Sequence, residues 1–277
     1  MSSFTLFNND KKYWFTDKNI NLSNIQSLNL CMINMSENKP LLELDKCINL
    51  EYLCIENNNL KELFDLSKFI NLKELNCCFN ELTKLPDLSK NIKLENLNCS
   101  NNKLTELPDL SKNIQLENLN CQNNQLTELP NLSNLKKMDS IDCSINQLTE
   151  LSNLPINLSS FECYNNKIKN INFSYCDNLR FINFGDNQIE TFPDLPKLNR
   201  LINLMCGNNK FKNVSFDLIE KQNKIYSDTY IKYTPNNQLT YLLNTYIKKY
   251  YYLNVIKKYN TYYLNEYEYY FCMYYYS

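Results

Sequence analysis

The stretch Leu94-Glu-Asn-Leu-Asn-Cys-Ser-Asn-Asn-Lys-Leu-Thr-Glu-Leu-Pro108 returns almost unchanged 22 residues later, as Leu116-Glu-Asn-Leu-Asn-Cys-Gln-Asn-Asn-Gln-Leu-Thr-Glu-Leu-Pro130. A period in the range of ~20–29 residues constrains a chain more than its composition does. Each unit is one supersecondary element that cannot bury its own apolar face, so successive units must stack to make a continuous core.

The period runs well beyond these two units. One apolar column is Ile25, Leu50, Leu72, Leu94, Leu116, Met138, Leu158, Leu179 and Leu201. A second is Leu28, Leu53, Leu75, Leu97, Leu119, Ile141, Phe161, Ile182 and Leu204. A third is Leu30, Ile55, Cys77, Cys99, Cys121, Cys143, Cys163, Phe184 and Cys206. Between the second and third columns, polar and apolar residues alternate with a period of two. That spacing predicts a short strand with one buried face in every unit. Stacked in parallel at ~4.8 Å, these strands would form a single sheet.

An Asn follows the strand in eight units: Asn58, Asn80, Asn102, Asn124, Asn146, Asn166, Asn187 and Asn209. The chain turns there, and a carboxamide offers two donors and one acceptor to backbone groups left inside the turn. These residues are expected to form a structural ladder. In the second half of the unit, Leu104, Leu107, Leu110 and Ile114 are expected to point inward. Pro86, Pro108, Pro130 and Pro193 interrupt any long helix there.

The pattern L-x-x-L-x-[L/I/C/F]-x-x-N-x-[L/I/F], intact in eight units, resembles the leucine-rich repeat superfamily. The period and the L-P-x-L segment are similar to the short-repeat kinds, SDS22-like and internalin-like. The Asn-, Ile-, Lys- and Tyr-rich composition resembles leucine-rich repeat proteins of AT-rich giant viruses or protists. The resemblance implies an α/β solenoid: a horseshoe with a parallel concave sheet, a mostly extended or 3₁₀ convex side, and capped ends. It also implies a protein-binding module that uses the concave face. The expected organisation is an N-terminal cap over 1–24, a solenoid of about nine repeats over 25–216 and a Tyr-rich cap or helical tail over 217–277.

Function must lie in the positions that the repeat leaves free. The outward strand positions hold four acids (Glu56, Glu74, Asp142 and Glu162) and no Lys or Arg. A basic stripe is the footprint of nucleic-acid binding, so no nucleic acid is expected on this face. The expected partner is a protein with a polar or mildly basic surface. It would be met by Tyr52, Glu74, Asp142, Glu162, Tyr164, Phe181, Asn183 and Met205, since binding energy concentrates in aromatic and apolar anchors. Part of this face is alternatively bare solvated surface.

The chain lacks His, a Gly-rich phosphate loop and G-x-S-x-G, so no catalysis and no cofactor are expected. Six Cys lie in the inward column and are expected to act as small apolar core residues. Cys31, Cys54 and Cys78 point outward. With no C-x-x-C, and with Glu56 between Cys31 and Cys78 in their column, no metal site is expected. The N-terminal residues carry no apolar signal segment and no run of ~18 apolar residues occurs. A cytoplasmic monomer (in a host, if the chain is viral) is the expectation.

Seventeen of the 21 Tyr follow residue 217. There Leu239, Leu242, Leu243, Tyr246, Ile247 and Tyr250 recur at helical spacing after Thr234-Pro235. This tail caps the solenoid or, with Lys248, Lys249, Lys257 and Lys258, attaches the chain to a membrane surface or to nucleic acid. The other alternative is a structural or decoy repeat protein with no dedicated partner.

Overall fold

The computed structural model describes residues 3–5, 22–32, 44–193, 202–211 and 230–232, with backbone alone at 3–5 and 230–232. The chain divides into two units, Met1–Thr234 and Pro235–Ser277. The helix expected after Thr234 and most of the expected N-terminal cap lie outside the described residues.

Every described strand has three residues, and all of them run parallel in one sheet in chain order. They are β1 (Ser3–Thr5), β2 (Ser27–Asn29), β3 (Tyr52–Cys54), β4 (Glu74–Asn76), β5 (Asn96–Asn98) and β6 (Asn118–Asn120). They continue with β7 (Ser140–Asp142), β8 (Ser160–Glu162), β9 (Phe181–Asn183), β10 (Asn203–Met205) and β11 (Tyr230–Lys232). The register never slips: Leu28, Leu53, Leu75, Leu97, Leu119, Ile141, Phe161, Ile182 and Leu204 stand side by side. The middle residue of each strand from β2 to β10 is buried and its neighbours face outward. A one-residue slip would turn a whole apolar row to solvent, which is why the repeat fixes the register.

Behind the sheet the apolar columns are closed off from water. Each fully buried Leu or Ile contributes roughly 1.5–3 kcal/mol relative to exposure. The Cys column is part of this core. Burial pushes the Cys99 and Cys206 thiols up to about 12, so they stay protonated and apolar at neutral pH. Toward the C-terminus the filling changes to aromatic rings. Phe173 packs 5.7 Å from Phe161 and 6.1 Å from Phe184 between ring centroids, and Phe192 lies 5.5 Å from Phe211.

The Asn column forms a continuous ladder. Asn80 Nδ2 donates to the Ile55 carbonyl of the preceding unit at 3.0 Å and to its own unit's Cys77 carbonyl at 3.1 Å. Its Oδ1 accepts from the amides of Asn58 and Leu60, both at 3.0 Å. The same bridges recur at Asn102, Asn124, Asn146, Asn166, Asn187 and Asn209. The residue before each ladder Asn takes a left-handed conformation, from Asn57 at φ 56° to Asn208 at φ 53°. Asn tolerates that region, which accounts for the recurrent Asn-Asn pair. Phe79 and Ile145 hold the same conformation without that advantage.

The convex side has no α-helix among the described residues; its 3₁₀ turns are Leu22–Asn24 and Leu44–Lys46. Each L-[P/F]-D-L-S segment is pinned by an Asp-Ser bracket. The amides of Ser67, Ser89 and Ser111 donate to Asp65, Asp87 and Asp109, each at 2.8 Å. Leu104, Leu107 and Leu110 are buried as their spacing suggests, but Ile114 is not: it is 53% exposed. Its neighbour Asn113 is buried instead, and its Nδ2 donates to the Leu88 and Asn91 carbonyls at 3.0 and 2.9 Å. Two successive tight turns, Asn113 N to Leu110 O and Leu116 N to Asn113 O, set this orientation. They leave interior carbonyls facing the site, so an amide is seated there and the isoleucine beside it turns out.

Candidate functional site

The outward face of the sheet carries the residues that the repeat leaves free. Along its middle, Glu74, Asn76, Asn96, Asn98, Asn118, Asn120, Ser140 and Asp142 line an open trough of about 370 Å³. Many of these side chains are already engaged. Oδ1 of Asn76, Asn98, Asn120, Asp142 and Asn183 accepts the backbone amide two residues on, at 3.0–3.2 Å. These bonds cap the strand ends and fix how each side chain leaves the sheet.

The register brings Asp142, Glu162, Asn183 and Met205 together as consecutive members of one column across β7–β10. Phe181 lies beside it on β9, 41% exposed, with the Arg180 guanidinium 5.8 Å from its ring centroid. Tyr164, just past β8, lies back along the sheet, its hydroxyl accepting from Gln122 Nε2 at 3.0 Å. Tyr52 and Glu74 are not part of this group. They pair with each other on β3 and β4, at the other end of the trough.

Asp142 and Glu162 face each other across neighbouring strands. Partial burial, and then the charge of Asp142, raise the Glu162 carboxyl above the usual carboxylate range. The ion pairs found among the described residues, Lys68–Asp45, Lys73–Glu51 and Lys103–Glu81, leave both carboxylates without a cation.

Two further features escape a motif search. Gly185 and Gly207, the two glycines of the chain, sit side by side next to Tyr164. Neither has a positive φ. A Cβ on Gly185 would meet nothing closer than the Gly207 carbonyl oxygen at 3.4 Å. The backbone therefore does not demand glycine there, and the result is a bare floor beside Tyr164. The second feature is a row of outward isoleucines flanking the sheet: Ile48, Ile70, Ile92, Ile114 and Ile156, each 50–56% exposed. Lys73, Lys93, Lys112, Glu95 and Gln115 join Ile92 and Ile114 around a groove of about 390 Å³. Its signal in the sequence was the recurrent Ile two residues before the first-column Leu.

Residues 70–112 and 114–155 match the family model described as Leucine Rich repeats (2 copies). The chain belongs to the leucine-rich repeat superfamily. Among solved structures its repeats are similar to YopM, a leucine-rich effector protein from Yersinia pestis, at 31% identity and a TM-score of 0.52. That similarity covers 70% of this chain and 48% of YopM. InlJ from Listeria monocytogenes, whose functional domain includes a cysteine ladder, is 29% identical with a TM-score of 0.53, over 72% of this chain and 48% of InlJ. The chain thus spans about half the length of either protein. A Shigella effector leucine-rich repeat domain shares the fold at 24% identity and a TM-score of 0.54, over 68% of this chain and 84% of that domain. A search of curated proteins finds no match. Leucine-rich repeats commonly mediate protein–protein interaction, and the fold family is generally non-enzymatic. No helix among the described residues is long and apolar enough to cross a membrane.

Proposed function

We propose that this leucine-rich repeat chain is a non-enzymatic binding module. Its partner is a protein segment with Lys or Arg among polar residues, held on the outward face of β7–β10. The observation that carries this reading is the Asp142–Glu162 pair. Two carboxylates side by side, one partly desolvated, repel each other and lack a cation of their own. A partner's ammonium or guanidinium relieves that repulsion, and charge complementarity of this kind steers association and sets register. Phe181, Met205 and the floor at Gly185 and Gly207 supply an apolar anchor beside the charge, where binding energy concentrates. The thiol-rich core suits a reducing compartment, and we place the module in the cytoplasm as a monomer.

Selection of a displayed peptide library on the full chain tests this. The expected outcome is enrichment of peptides with Lys or Arg next to an apolar residue, lost when selection uses the double variant D142N/E162Q. Enrichment of acidic peptides, or of the same peptides on both proteins, would overturn it.

A further inference from the structure

Of the described Cys, eight belong to the buried core: Cys47, Cys77, Cys99, Cys121, Cys143, Cys163, Cys176 and Cys206. The other three, Cys31, Cys54 and Cys78, stand on the outward side of the sheet, in three successive units at its N-terminal end. The sequence places Glu56 between Cys31 and Cys78 and so separates them. In the structure Glu56 instead closes a group with Cys31 and Cys54.

Cys31 and Cys54 lie diagonally across β2 and β3, with Sγ atoms 2.6 Å apart. The donor atoms of Cys31, Cys54 and Glu56 all lie within 4.8 Å of one another. Two sulfur donors and one carboxylate oxygen therefore converge from two neighbouring units.

The surroundings orient these donors. Asn76 Nδ2 donates to Glu56 Oε2 at 3.2 Å, and Asn29 Oδ1 accepts from the Cys31 amide at 3.0 Å. Hydrogen bonds of this sort to ligating groups hold a coordination shell in place. Cys31, Cys54 and Glu56 are partly exposed, which gives an ion a path in.

We propose that Cys31, Cys54 and Glu56 form a binding site for a soft divalent cation, zinc by preference. Two thiolates and a carboxylate, with a water in the fourth position, fit tetrahedral zinc, which takes sulfur at ~2.3 Å and carboxylate oxygen at ~2.0–2.2 Å. Sulfurs on such an ion stand about 3.8 Å apart, so side-chain rotation opens the Cys31–Cys54 pair as the metal enters. Thiolate donors select zinc over magnesium or calcium. The ion would tie two neighbouring repeat units together, and binding would release thiol protons.

The test uses the full chain, reduced and stripped of metal, titrated with Zn²⁺ or Co²⁺ alone. The expected result is one equivalent bound, with a thiolate-to-cobalt charge-transfer band, the intense visible bands of tetrahedral cobalt, and a higher melting temperature. Loss of an outer-shell partner alone commonly costs ~10–100-fold in affinity. C31S, C54S and E56Q should each weaken binding at least that much, whereas C176S should not. E56Q keeps the size of the side chain, so the test does not depend on a variant that fails to fold. No cobalt spectrum in the wild-type protein would overturn the proposal. So would undiminished uptake by C31S or E56Q, or a native mass 2 Da light that maps to a Cys31–Cys54 disulfide.

Discussion

The Tyr164 hydroxyl accepts a hydrogen bond from Gln122 Nε2 at 3.0 Å, reaching two repeats back along the face of the sheet. Ser144 occupies the intervening position in the same column and is fully buried, its Oγ without a partner. The tyrosine is thus an ordered part of the surface, fixed before any partner arrives. Removing its hydroxyl in Y164F should cost about 0.5–1.5 kcal/mol in urea unfolding, the usual net value of one such bond. Y164A should cost more, because it also removes the ring from the face. Equal stability of wild type, Y164F and Y164A would show that the ring is not held.

The ladder should be more sensitive than the face. In N124A the amide of Leu104 loses its side-chain partner, while the carbonyls of Cys99 and Cys121 each drop from two side-chain donors to one, from Asn102 and Asn146 respectively. Each buried orphan costs roughly 1–3 kcal/mol. Chemical denaturation should therefore show a loss of about 1–3 kcal/mol, beyond that of an exposed-face variant such as N118A. A cost below about 1 kcal/mol would contradict the ladder's role.

Ile145 gives a prediction of opposite sign. It holds φ 54° in a column where most repeats place Asn or Asp. The left-handed region costs a β-branched residue about 1–2 kcal/mol, and the backbone bonds of this residue do not depend on its side chain. I145N should raise stability by about 1 kcal/mol, seen as a higher urea midpoint with an unchanged slope. A lower midpoint would mean that the side chain packs more than the conformation costs.

Two carboxylates should respond to pH in opposite directions. The Ser111 amide and hydroxyl hold the Asp109 carboxyl below its ordinary value. Its contribution is present above the unfolded pKa of ~3.9 and is lost as pH falls through the folded value. Burial and the Asp142 charge hold Glu162 above its ordinary value. Its contribution is complete below the unfolded pKa of ~4.3 and is lost as pH rises through the folded value. Relative to wild type, E162Q should gain stability as pH rises above about 4, whereas D109N should lose it as pH rises toward about 4 and stay below wild type from there on. Parallel pH profiles for both variants would contradict these environments.

The fold was legible because one period governs three apolar columns and the Asn positions together, so a single register satisfies them all. Strand positions and the direction of Leu104, Leu107 and Leu110 follow from it. Ile114 did not, because hydrophobic spacing cannot reveal that a pair of tight turns presents carbonyls to the interior and draws Asn113 inward. The left-handed step before each ladder Asn was also missed, although the repeated Asn-Asn pair carried it. On the face, outward positions could be assigned, but not their grouping. Asp142, Glu162, Asn183 and Met205 gather through register, while Tyr52 and Glu74 stand apart. The convergence of Cys31, Cys54 and Glu56 depends on a diagonal contact between strands, which a column-by-column reading does not contain.

The central claim is that β7–β10 bind a basic protein segment through Asp142 and Glu162. The most direct measurement is calorimetric titration of a selected Lys- or Arg-bearing peptide into wild type, D142N/E162Q and E74Q, at low and high salt. The account predicts that D142N/E162Q binds at least about tenfold more weakly and loses most of the salt dependence, while E74Q stays close to wild type. Undiminished affinity in D142N/E162Q would contradict it.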